Sequence, residues 1–253
     1  MPFDALKLSK AMENLVVKGI SRKYYRVVRG GRWYGGIATA DCCGCNLRCV
    51  FCWSGAPRDS PDKIGKFYTP DQIYYALKSC ALKRGYNQVR ISGNEPTIGK
   101  DHLLKVLELV ESDGLFNFIL ETNGILIGSD KDYARALSKF SKVHVRVSIK
   151  GTSEEEFSLL TGALPEQFNL QLQALKNLLD CGVSCHPAVM LSFSGREGYE
   201  RIQERLAEID PKLANDMEEE YVFMYPHVAE RLRKSGIKPK LAYHPSCIPE
   251  ELI

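Results

Sequence analysis

Apolar and polar positions along this chain follow two periods that take turns. Short runs rich in β-branched and aromatic residues recur as GIATAD (36–41), NQVRIS (87–92), NFILET (117–122), KVHVRVSI (142–149), SCHPAVMLSF (184–193) and YVFMY (221–225). Each has the length and content of a strand, although Pro187 weakens the first half of the fifth. Amphipathic stretches lie between them. Thr69, Pro70 and Asp71 start a helix that runs to about Leu82, with Ile73, Ala76, Leu77 and Cys80 turned inward. Asp101 opens another, with Leu103, Leu104, Val106, Leu107 and Val110 inward. Strand and helix in alternation predict βαβ crossovers and a parallel sheet. Six such units in 253 residues predict an α/β fold, a partial (β/α)6 barrel open on one side, rather than a closed eight-strand barrel. The expected boundaries are an N-terminal arm at 1–35, a core barrel at 36–227 and a C-terminal extension at 228–253 that packs on the barrel.

Composition narrows the class. Lys plus Arg is 34 and Asp plus Glu is 31, so the net charge of +3 selects no partner. No apolar run reaches the ~18 residues of a membrane span, so no membrane partner is expected. The first residues lack a secretory pattern, which predicts a cytoplasmic protein. The segment from Asn14 to Ala40 carries six basic residues and no acid, with Tyr24, Tyr25, Trp33 and Tyr34 interleaved. Such a mixture can bind phosphates and stack bases; the plain alternative is a solvated edge strand or arm.

The chemistry sits in the cysteines. There are nine, an odd number, and five of them fall between Cys42 and Cys52. In a chain with no export signal this argues against a disulfide framework. Within DCCGCNLRCVFCW, the residues Cys45, Cys49 and Cys52 are spaced C-x3-C-x2-C. Three thiolates on one loop can hold three corners of a [4Fe–4S] cluster and leave the fourth iron to a small molecule. Gly44 allows the turn into the loop, and Phe51 offers an apolar wall. Two other readings stay open. Cys42 could close the cluster as a fourth ligand, giving a non-catalytic electron carrier. Alternatively, paired cysteines could hold a structural zinc in an RNA-binding module, although the three-residue spacer is short for zinc. Cys80, Cys181, Cys185 and Cys247 are expected as core thiols.

CNLRCVFC resembles the cluster loop of the radical S-adenosylmethionine (SAM) superfamily, aromatic residue included. In parallel sheets ligands bind at the carboxyl ends of strands, and here those ends carry SGNEP, ETNG, SIK and MYPH. SGNEP resembles the superfamily's GGEP segment. The resemblance implies that Gly93, Asn94 and Glu95 receive the amino group of SAM, with Asn94 standing where a glycine is usual. ETNG and SIK resemble segments of the short glycyl-radical-enzyme activating enzymes. That implies Glu121 near SAM or substrate, with Ser148 and Lys150 near the SAM carboxylate or ribose. MYPH implies His227 near the adenosyl portion. The implied chemistry is reductive cleavage of SAM to a 5′-deoxyadenosyl radical that abstracts hydrogen. An external one-electron donor of ferredoxin or flavodoxin type is implied too. The short domain suggests a macromolecular substrate, protein or tRNA, and an apolar barrel interior suits a carbon radical.

Overall fold

A computed structural model describes residues 1–249 of the chain. Eleven strands are labelled in chain order: β1 (Val17–Lys18), β2 (Ser21–Gly31), β3 (Ile37–Cys42), β4 (Lys66–Tyr68), β5 (Gln88–Ser92), β6 (Asn117–Thr122), β7 (Val143–Ile149), β8 (Cys185–Met190), β9 (Glu218–Glu220), β10 (Val222–Phe223) and β11 (Ala242–Tyr243). Six of them, in the order β3-β5-β6-β7-β8-β9, are parallel neighbours. β2 joins antiparallel to β3, and β1 and β4 pair with β2. The sheet therefore ends at β9 without closing on its other edge, as an open (β/α)6 barrel.

Helix boundaries follow their signals. The helix Pro70–Arg84 begins at Thr69, whose hydroxyl accepts from Gln72 N while the Gln72 side chain accepts from Thr69 N. It ends at Gly85, where φ is +68°. Its buried face is Ile73, Tyr74, Leu77 and Ala81; Ala76 and Cys80, expected inward, are half-buried. Ile73 and Leu77 are fully covered, each worth roughly 1.5–3 kcal/mol of burial. In the helix Lys100–Asp113 His102 takes the inward place expected of Leu104. Pro187 sits inside β8, but β9 pairs only with Ala188, Val189 and Met190, so its missing N–H interrupts no ladder on that side.

One expectation is corrected. The sixth parallel strand is Glu218–Glu220, not 221–225; only Val222 and Phe223 of that run form a strand, in a separate pair with β11. Three glutamates have poor strand propensity, and what overrides it is ion pairing on the inner face, described below. The basic aromatic segment, expected as an edge strand or an arm, contributes residues 21–31 as the long strand β2 beside β3. Arg22 is buried, donating to Val16 O and Glu95 O. Lys23 donates to Pro61 O and Asp62 O, and Tyr24 hydrogen-bonds His102. Much of that basic and aromatic character is thus spent inside the fold. Of the C-terminal extension, residues 228–249 are described and 250–253 lie outside the described residues. No helix among the described residues is long and apolar enough to cross a membrane.

Candidate active site

β3 delivers the cysteine loop to the carboxyl rim of the sheet. Gly44 makes the turn at φ +82°, and a Cβ there would stand 3.0 Å from Val16. Cys45, Cys49 and Cys52 then line one cavity of about 760 Å³, together with Phe51, Gly93, Asn94, Glu95, Glu121, Ser148, Lys150 and His227. All the residues the sequence singled out therefore face a common space. Cys42 and Cys43 do not line it: both are buried, and the Cys43 thiol points to Ile64 O at 3.5 Å. Cys42 is not placed as a fourth ligand. Cys247, expected in the core, is exposed.

The three thiols suit a [4Fe–4S] cluster. Burial pushes Cys49 up to about 11, although Lys150 opposes the shift, and burial raises Cys45 further, helped by Glu95 and Cys49. Thiols in such surroundings become thiolates only against a cationic centre. A buried donor without a partner adds to this. Ile125 N donates to Asn123 Oδ1 at 3.1 Å, which turns the Asn123 amide so that Nδ2 donates to Asn46 Oδ1 at 2.7 Å. The Nδ2 of Asn46, next to Cys45, is left with no protein acceptor.

The SGNEP turn is tied to this loop. Gly93, at φ +91°, has Tyr25 and Asp41 where a Cβ would be, so only glycine fits. The Asn94 side chain accepts from Gly44 N at 2.9 Å and donates to Ser54 O at 3.1 Å. It thus brackets the three cysteines at entry and exit, and Glu95 N donates to Gly44 O at 3.1 Å. The buried Glu95 carboxylate accepts from Thr97 N and Oγ1, Thr122 Oγ1 and Asn123 N at 2.6–3.1 Å. One carboxylate fastens the end of β5 to the end of β6 without a cation.

Below the rim the barrel interior is charged, not apolar as expected. Glu121 accepts from Tyr34, Ser92 and Arg90. Burial pushes its carboxyl up, but Arg90 and Arg146 outweigh that and hold it at about 2. Arg146 donates to Glu218 at 2.6 and 2.7 Å and to Glu220 at 3.0 Å. It keeps Glu218 at about 2 against burial, with help from His186. Ser148 donates to Glu220 at 2.7 Å, and Lys150 reaches Ser148 and Glu220 while lying over the Phe51 ring. Glu121, Ser148 and Lys150 are thus partnered within the protein. The sequence reading missed Arg90, Arg146 and Glu218 to Glu220, all of which line the cavity. A signal existed: His144, Arg146 and Ser148 alternate with valines along β7, marking a polar inner face.

His227 lies not at a strand end but in the first turn of the helix Pro226–Ser235, and its Nε2 donates to Trp53 O at 2.7 Å.

Curated relatives are similar in sequence and solved structures in fold. A probable GTP 3′,8-cyclase of Methanococcus vannielii is 31% identical over 118 residues, 47% of this chain and 37% of that protein. The chain spans about a third to a half of the length of the first curated relatives it matches. The fold is similar to SuiB of Streptococcus suis bound to S-adenosylmethionine, with TM-score 0.59, 21% identity, and coverage of 78% of this chain and 41% of SuiB. SuiB bound to its precursor peptide SuiA gives TM-score 0.54 at 16% identity, over 79% and 46%. The family model for the radical SAM superfamily matches residues 41–206, from the last two residues of β3 into the helix after β8. That match covers most of the chain, including β5 to β8 and the whole cysteine loop, and so the chain belongs to the radical SAM superfamily.

Proposed function

We propose that Cys45, Cys49 and Cys52 bind the superfamily's [4Fe–4S] cluster and that SAM lies across the rim beside it. The site then abstracts hydrogen from a polar substrate reaching the charged column below. One observation carries this: the three thiols, the SGNEP turn and the column all line a single cavity. When bound, the cluster and SAM supply one-electron cleavage and hydrogen abstraction. The protein's own part is positional. Gly93 and Asn94 present backbone acceptors for the SAM amino group, and Glu95 fixes their place relative to β6. Phe51 and its neighbour Phe193, ring centroids 5.7 Å apart, keep water from one side of the rim. Lys150 offers a cation to the SAM carboxylate at the cost of its contacts to Ser148 and Glu220. Glu121, Arg146, Glu218 and Glu220 stay ionised as paired groups and offer fixed dipoles and charges to a polar substrate. An external one-electron donor of ferredoxin or flavodoxin type supplies the reducing equivalent.

The open side admits a substrate larger than the cavity, which supports a protein or tRNA segment as the hydrogen donor. The similarity to GTP 3′,8-cyclases supports a second reading, a purine nucleotide. Among the lining residues, the exposed Arg26 with Trp33 and Trp53 would suit its phosphates and base, whereas Arg29 is bidentate on Asp41. Anaerobic reconstitution with iron, sulfide, SAM and dithionite tests both. Release of 5′-deoxyadenosine is expected, stimulated by GTP, or by the protein or RNA fraction of a cell extract. No 5′-deoxyadenosine from a fully loaded protein under any of these conditions would overturn the proposal.

A further inference from the structure

Each cysteine of the loop has its backbone carbonyl taken by a different arginine. Arg48 Nη1 donates to Cys45 O at 2.7 Å and Arg58 Nη1 to Cys49 O at 2.6 Å, and Arg231 Nη1 donates to Cys52 O. Arg48 and Arg58 come from the loop region itself. Arg231 comes from the helix Pro226–Ser235, beyond the residues that the superfamily model matches. On the same helix face, four residues earlier, His227 holds the next carbonyl, Trp53 O.

The surroundings are built for this contact. A Cβ on Gly55 would overlap the Arg231 guanidinium, so glycine at 55 leaves the path by which that side chain reaches Cys52. The helix is anchored by Val228 and Leu232, buried in an apolar cluster with Met190 and Val222 against which Val50 and Phe51 of the cysteine loop pack. Charge distinguishes the three arginines. Arg58 is bidentate on Asp59 at 2.7 and 2.8 Å, and Arg48 lies 3.8 Å from the same carboxylate. Arg231 makes no ion pair among the described residues, so its charge is unspent.

We propose that the helix Pro226–Ser235 is a working part of the cluster site, with Arg231 and His227 as positioning residues. The inference rests on the reading that Cys45, Cys49 and Cys52 hold a [4Fe–4S] cluster. The two side chains fix the exit of the loop, and with it the direction of the Cys52 thiolate. The Arg231 guanidinium, which has no ion pair among the described residues, also favours the reduced cluster, because reduction adds one negative charge beside a fixed positive one.

The test uses the full chain, reconstituted anaerobically, with the parent, Arg231→Gln, Arg231→Lys and His227→Gln compared. Iron content of the parent checks the underlying reading separately: a parent that takes up no iron–sulfur cluster sinks that reading whatever the variants do. Given a loaded parent, Arg231→Gln is expected to lose iron to a chelator roughly 10–100-fold faster, the usual effect of removing a group that orients a ligand. Its midpoint potential, read by EPR-monitored titration, is expected to move to more negative values. Arg231→Lys keeps the charge but not the planar fork, so its potential should stay near the parent's while iron loss remains fast. His227→Gln should speed iron loss with no change in potential. Circular dichroism establishes that each variant is folded. Should Arg231→Gln misfold, iron loss in Arg231→Lys and His227→Gln carries the positioning test, and the midpoint potential of Arg231→Met carries the charge test. Parent-like iron loss and parent-like potential in the folded Arg231 variants would overturn the proposal.

Discussion

The rim and the column of this barrel solve the same problem in opposite ways. Both must fix carboxylates in place, a buried one at the rim and partly solvent-exposed ones in the column. At the rim, Glu95 is held by four neutral donors from Thr97, Thr122 and Asn123. In the column, Glu121, Glu218 and Glu220 are held by arginine and lysine. Neutral donors fix position without adding charge beside the cluster loop, where the cations are left to the arginines behind it. Guanidinium pairing instead keeps several acids ionised at close quarters, at the cost of making each depend on its partner. Precision belongs to the rim and fixed charge to the column.

The contrast can be broken from either side. The largest effect is expected from Cys45→Ala: iron content measured after reconstitution should show loss of the cluster and no SAM cleavage, while apo-protein melting stays near the parent's. Arg146→Gln strikes the column. It leaves Glu218 without its main partner and Glu220 with Lys150 as its remaining cation; because the Glu218 side chain is 41% exposed, solvent takes up part of the loss, and denaturant unfolding should report about 1–3 kcal/mol. Acid sharpens the difference. Glu121 and Glu218 sit at about 2, below their ordinary value of 4.5. Their depressed values add stability that is complete above about pH 4.5 and is lost as pH falls towards 2, because the unfolded chain takes up protons first. A melting series from pH 6 to 2 should fall through that window, and Arg146→Gln should flatten the fall. The smallest effect belongs to Asn94→Gly, which removes the bonds to Gly44 and Ser54 at a cost of roughly 1–2 kcal/mol. Its signature is a weaker change in the cluster's EPR signal on adding SAM, with iron content retained.

Legibility divided along the same line. The rim was readable because its chemistry is local: three cysteines within eight residues and Gly93, Asn94 and Glu95 in a row need no tertiary knowledge to be noticed. Five of the six parallel strands were readable because β-branched residues concentrate in them. The column was not, because its partners are far apart in sequence. Arg146 meets Glu218 across 72 residues, and nothing in MEEEY resembles a strand until a guanidinium stands opposite. His227 was noticed as a cavity residue, but its place in a helix and its bond to Trp53 O were not legible. Its residue type suggested a ligand, whereas its helix turns it to Trp53 O.

The sequence by itself determined the superfamily, the three thiols proposed to hold its cluster and the alternation that builds an open parallel sheet. These depend on residue type and short spacing. Only the tertiary structure decided that three glutamates form the last strand, that the barrel interior is ionic, and that an arginine from the C-terminal helix reaches Cys52. Each of those rests on pairing between distant charges or carbonyls, whose energy exists only once the sheet has brought them within hydrogen-bond range and out of water.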